Sequence, residues 1–166
     1  PFQIIPNWKK QEISKSAPRS PSVFPLLEMM FVVAIIGILA SIGVPTFTSV
    51  RKNKKIIKAT AEVSMLDKEI MYWEMDHGSL PESLEDIGRG GFLDPWGNPY
   101  QYLNYATVKG LGNQRKDHMQ VPINDTYDLY STGKDGKSQP SLQAQASRDD
   151  IIRANNGKYI RLASEY

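Results

Sequence analysis

Between residues 24 and 45 the chain reads Phe-Pro-Leu-Leu-Glu-Met-Met-Phe-Val-Val-Ala-Ile-Ile-Gly-Ile-Leu-Ala-Ser-Ile-Gly-Val-Pro, an apolar run whose one charge is Glu28. About 20 apolar residues suffice to cross a bilayer as a helix, so this run predicts one. From Ile56 onward the pattern becomes periodic. Ile56, Ala59, Val63, Leu66, Ile70 and Trp73 recur at alternating spacings of three and four, which is one face of a helix. Lys55, Lys58, Glu62, Asp67, Lys68 and Glu69 fall mostly off that face, and Gly78 with Pro81 close behind supplies the stop. The two patterns join into one predicted helix over residues 26–77, about 75 Å long at 1.5 Å per residue. Its first half suits lipid or neighbouring subunits, and its second half suits packing on a sheet. Pro45 lies inside it, where a missing N–H predicts a bend or a local melting.

Beyond Gly78 the periodicity shortens. Residues 80–91 are rich in Pro, Gly, Ser and Asp and read as turns. Residues 100–105 alternate aromatic and polar side chains and predict a strand, as do residues 126–131 and 158–162. A long helix followed by a small antiparallel sheet is an α+β arrangement. Between Phe92 and Tyr100, Asp-Pro and Gly-Asn-Pro set turns, while Trp96 and Tyr100 offer apolar area to clamp a loop onto a core.

Charge changes the picture at the N-terminus. Lys9, Lys10, Lys15 and Arg19 against Glu12 give the first 23 residues +3. Of the chain's 20 basic and 18 acidic residues this leaves 16 and 17 for the rest, so no net basic surface remains to suggest a nucleic-acid partner. Residues 1–23 carry four prolines and no apolar period, and read as a disordered cytoplasmic leader. Arg51-Lys-Asn-Lys-Lys55 follows the apolar run directly and competes with that leader for the cytoplasmic side. There is no cysteine, which excludes disulfides, thiolate metal sites and thiol catalysis. His77 and His118 lack the spacing of a zinc pair, and neither a Gly-x-Ser-x-Gly elbow nor a phosphate-binding glycine motif is present. The sequence offers no catalytic constellation.

Two features carry candidate chemistry. A carboxylate inside a membrane helix costs about 2.5–3.5 kcal/mol on insertion scales. Glu28 therefore either lies at headgroup level or has a partner that offsets its charge. Asp135-Gly136 and Asp149-Asp150 place three carboxylates in one glycine-bearing loop region, the donor type of a hard cation such as calcium, although the spacing is not that of an EF-hand. A solvated acidic loop is the other reading. Residues 131–158 hold few large apolar groups, so without a staple they are expected to stay disordered.

These residues converge on a known pattern. Phe24, Glu28, the Ile35-Ile-Gly-Ile-Leu39 run and Pro45 resemble the N-terminal signature of type IV pilins and of the pseudopilins of type II secretion. In that family the mature chain starts at the phenylalanine, with the glutamate fifth and the proline 21 residues after the start, as here. Asp76-x-Gly-x-Leu-Pro81, Asp94-Pro-Trp-Gly-Asn-Pro-Tyr-Gln-Tyr102, and Tyr127-Asp-Leu-Tyr-Ser-x-Gly-x-Asp-Gly136 with Asp149-Asp-Ile151 resemble the major pseudopilin family, general secretion pathway protein G.

The resemblance implies a type IV pilin-like fold: a long N-terminal helix, membrane half plus amphipathic half, packed on a small antiparallel sheet with a C-terminal calcium loop. It divides the chain into a leader (1–23), a transmembrane half-helix (24–47), an amphipathic half-helix (48–78) and a periplasmic globular domain (79–166). It implies a single-pass inner-membrane protein that polymerises as a homo-oligomeric helical filament, the pseudopilus, to drive export of folded proteins. Minor pseudopilins, an inner-membrane assembly platform and prepilin peptidase are the implied partners. Calcium would be held by Asp135, Asp149 and Asp150 through their side chains, and by Thr132 and Lys137 through backbone carbonyls. Glu28 would pair with the N-terminal amine of a neighbouring subunit, and cleavage before Phe24 would precede methylation of that amine. Two positions depart from the pattern: Val23 stands where glycine normally precedes the cut, and Pro25 replaces a small polar residue. Residues 138–148 also form a longer insert than usual between the halves of the calcium loop. The alternatives are a type IV pilin of a surface fibre used in adhesion, motility or DNA uptake, and a membrane-anchored periplasmic enzyme or ligand-binding module.

Overall fold

A computed structural model of the protein describes residues 24–166; the expected leader, Val23 included, lies outside the described residues. Helix α1, Phe24–His77, has 54 residues. Helical conformation continues through Pro45, so the local melting expected there does not occur. One missing N–H removes a single bond from a long ladder. Gly78 N donates to Glu74 O at 2.8 Å and closes the last turn, as the sequence predicts. The chain divides at Pro45 into a helical stretch and a compact unit, Thr46–Tyr166. In the first, the side chains described are exposed, and α1 is long and apolar enough to cross a membrane.

The compact unit is built on a four-stranded antiparallel sheet in chain order: β1 Gln101–Asn104, β2 Tyr127–Ser131, β3 Ile151–Ala154 and β4 Tyr159–Leu162. Strands β1, β2 and β4 fall where aromatic and polar alternation predicts them. Strand β3 does not announce itself, because all four of its residues are buried and nothing alternates. On one face, Ala59, Val63, Leu66 and Ile70 of α1 pack on Tyr127, Leu129 and Ile151, all in one buried cluster. These four are fully buried, and Ile56 packs partly against them, so the three-and-four spacing identifies the core face. Trp73 is only half-buried and stacks on His77 at 3.8 Å between ring centroids. The other face of the sheet presents Ile152 and Ala154 to Ile123, Leu142 and Ala163, contributed mainly by the two long connections, residues 105–126 and 132–150.

Asp67 departs from the helical pattern. The sequence places it off the apolar face, yet it is 7% exposed. It forms an ion pair with Arg153 of β3, and Tyr127 Oη donates to it at 2.7 Å. Arg153 Nη1 donates to Tyr127 O at 3.2 Å, and its guanidinium lies 3.9 Å from the Tyr127 ring centroid. A buried carboxylate is tolerable only when paired and hydrogen-bonded, and Arg153 supplies what the helix cannot. Burial first, and the bond to Asp67 second, hold the Tyr127 hydroxyl well above its usual range. Gly157 (φ +85°) completes the pocket, since a Cβ there would stand 2.8 Å from Asp67 Oδ2.

Candidate functional site

Two places carry the candidate chemistry, and each belongs to one unit. In the helical stretch, Glu28 is exposed and is the one ionisable side chain between residues 25 and 50. Leu27, Phe31 and Val32 around it are exposed as well. Helical geometry puts residues four apart on one side, so Glu28 and Val32 share a stripe with no local cation. The side chains of Phe24 and Pro45 are not described.

In the compact unit the site is the loop that leaves β2 at Ser131 and returns to β3 at Ile151. Its first turn is held from outside by the 94–98 segment. Asp94 Oδ1 accepts from Trp96 N and Asn98 N, both at 2.9 Å, which is an Asx-type turn. Asp94 Oδ2 accepts from Ser131 Oγ at 2.6 Å, and Asn98 Nδ2 donates to Gly133 O at 2.8 Å. The aromatic turn thus clamps the loop, and Trp96 packs against the helix-side core as the sequence implies. Gly133 (φ +66°) allows the two ends of the loop to meet: a Cβ there would stand 2.3 Å from Asp149 O.

The five expected ligand residues divide into two groups. Asp149 Oδ2 accepts from Lys134 N at 2.8 Å and Asp135 N at 3.2 Å, which fixes it across the turn from Asp135. Asp135 Oδ1 in turn accepts from Lys137 N at 2.8 Å. Thr132 is buried, and Lys137 is exposed. Asp150 is wholly buried and points to the opposite side of β3 from Arg153, where it is ion-paired to Arg115. Ser138 Oγ donates to Asp150 Oδ2 at 2.6 Å. Burial is the largest influence on this carboxyl and raises it to about 6, against the opposing pull of Arg115 and Ser138. Among the described residues, no three carboxylate or histidine side chains gather into a cluster of metal-site size. Yet Asp150 Oδ1 is buried with no protein hydrogen-bond partner, and carboxylates with backbone carbonyls are the donors a hard cation takes. By donor type these residues suit calcium, with backbone carbonyls needed to complete the set.

Arg115 and Ser138 are the site residues that sequence reasoning misses. Arg115 lies in a polar stretch without periodicity, and nothing in the sequence singles it out from Lys116 beside it. Residues 131–158, expected to need a staple in order to be ordered, receive theirs from the chain itself. Arg115 is a staple reached from another connection, and Ser147 Oγ and the backbone of Gln139 bond each other at 2.9 and 2.8 Å across the insert.

The chain is 31% identical over 140 residues to type II secretion system core protein G of Pseudomonas aeruginosa, an alignment covering 72% of this chain and 87% of the relative. It is 30% identical over 139 residues to the protein of the same name in Vibrio cholerae, covering 72% and 84%. The chain belongs to the type II secretion system core protein G family. It is also 34% identical over 74 residues to competence protein ComGC of Halalkalibacterium halodurans, covering 43% of this chain and 70% of the relative. No family model matches the chain, and no solved structure does. In this core protein G chain, two of the segments that carried the resemblance, 94–102 and 127–136, turn out to be bonded to each other through Asp94–Ser131 and Asn98–Gly133.

Proposed function

We propose that the chain is a structural subunit of the periplasmic pseudopilus of a type II secretion system, polymerising through α1 to drive export of folded proteins. The observation that carries this reading is the exposed apolar stretch of α1 with its one carboxylate, in a chain of the core protein G family. Such a surface needs lipid before assembly and neighbouring helices after it. Residues 24–47 hold the subunit in the inner membrane, residues 48–78 join the helix to the periplasmic domain (79–166), and prepilin peptidase removes residues 1–23. Glu28 then finds its countercharge in the Phe24 amine of an adjacent subunit. Minor pseudopilins and the assembly platform complete the machine, and nothing in this role calls for bond-making chemistry. Electron microscopy of cells overproducing the chain with its secretion system is expected to show filaments containing it. A chain that stays monomeric in the membrane at every ionic strength tested overturns the reading.

The loop completes the proposal. Asp135, Asp149 and Asp150, with the carbonyls of Thr132 and Lys137, would hold calcium, which supplies positive charge between the turn after β2 and the entry to β3. Support comes from the unpartnered Asp150 Oδ1 and from the position of Asp149 across the turn from Asp135. In detergent micelles, calcium at a hundredfold excess over its Kd is expected to raise the melting temperature of the full chain by on the order of 10 °C. Asp135→Ala should abolish this increment with little effect in chelator, because Asp135 is exposed. Superimposable melting curves in calcium and in chelator remove the metal from the proposal.

A further inference from the structure

Arg115 is 35 residues from Asp150 in sequence and belongs to the connection between β1 and β2, yet its side chain is 2% exposed beneath the loop. Its Nη2 donates to Asp150 Oδ2, and its Nη1 donates to Ser138 Oγ at 2.7 Å. The guanidinium lies 4.0 Å from the Tyr130 ring centroid, and Arg115 N donates to Asp128 Oδ2 at 2.7 Å, so the residue is fixed at both ends. Its neighbour ties the backbones together: Lys116 N donates to Pro140 O, and Leu142 N donates to Lys116 O, both at 2.9 Å. The insert between the two halves of the loop is thus strapped down by a cation that the chain itself provides. One oxygen of Asp150 is used by this strap, and the other is left without a protein partner.

We infer that Arg115 is a resident countercharge that shares Asp150 with the loop's divalent cation and so sets how strongly folding of the loop depends on calcium. This rests on the calcium reading of the loop. With Arg115 present, the buried carboxylate is already paired, so metal binding relieves only part of its desolvation cost and meets a like charge beside it. Without Arg115, Asp150 has no ion-pair partner among the described residues, and neutralising it falls to the metal. The calcium term in stability then grows while the stability without metal falls.

The test compares the full chain in detergent micelles as wild type, Arg115→Gln, Arg115→Lys and Ser138→Ala, by calcium titration calorimetry and by melting in calcium and in chelator. Arg115→Gln is expected to melt lower than wild type in chelator, to recover most of the difference in calcium, and to bind calcium on the order of tenfold more tightly. Arg115→Lys, which keeps the charge, should respond to calcium as wild type does. If wild type binds calcium and Arg115→Gln shows the same Kd and the same melting increment, the inference is overturned and the calcium reading stands. Calcium binding by Arg115→Gln alone overturns both, because the natural chain then holds no cation with which Arg115 could share Asp150; binding by neither also overturns both. Should Arg115→Gln fail to fold in either buffer, Ser138→Ala decides: a larger calcium increment than wild type supports the inference, and an equal one defeats it.

Discussion

Glu28→Ala is expected to reach the membrane fraction in undiminished amount and to yield no filaments under the electron microscope. Removing the carboxylate relieves an insertion cost of at most about 2.5–3.5 kcal/mol, the value at a helix centre, so membrane entry should not suffer. On the proposed pairing, what disappears is the countercharge of the neighbouring subunit's amine. Leaving one member of a buried pair unmatched costs about 3–5 kcal/mol, and each 1.4 kcal/mol is about tenfold in association. Subunit addition should therefore weaken by at least about a hundredfold. Glu28→Gln keeps size and hydrogen-bonding capacity and should fail almost as completely, which separates charge from shape. Filaments of either variant at wild-type abundance would show that the pairing is dispensable.

The second large effect is inside the compact unit. Asp67→Ala leaves Arg153 buried without a countercharge and Tyr127 Oη without its acceptor. The expected loss is about 3–5 kcal/mol, a large share of the roughly 5–15 kcal/mol that holds a domain together. Denaturant unfolding of the full chain in micelles should show the midpoint falling steeply. Asp67→Leu combined with Arg153→Met removes both charges and should restore much of the loss, because an apolar pair carries no desolvation cost. If that double variant is no better than the two single losses summed, the pair contributes through packing alone. Gly157→Ala should also destabilise, since its Cβ would stand against Asp67 Oδ2.

The residues show why some of the fold is legible in the sequence and some is not. Ala59, Val63, Leu66 and Ile70 are readable because a helix with one buried face must repeat at 3.6 residues, and no other arrangement makes that spacing useful. Strands β1, β2 and β4 are readable because one side of each meets the core and the other something more polar. Strand β3 is covered on both faces, so Ile151-Ile-Arg-Ala carries no period. Asp67 and Asp150 look like surface acids for a related reason. What buries each is an arginine far away in sequence, and charge pairing over 86 or 35 residues leaves no local trace. The loop's acids are legible as a group from composition, but their division into an exposed Asp135, a half-buried Asp149 and a buried Asp150 depends on which way β3 turns Asp150. The clamp from Asp94 and Asn98 was legible as turn chemistry and not as a contact with Gly133.

Strand β3 and the residue before it hold one member of each buried ion pair, Asp150 for Arg115 on one face and Arg153 for Asp67 on the other. Asp67 and Arg115 are both made long before their partners. As the chain is made, two charges must wait in solvent until the last strands arrive. Closure of contacts this distant in sequence is slow, so the domain commits to its final form late and nearly all at once. A product broken off before residue 150 keeps both orphaned charges, cannot bury either, and is left open to proteolysis.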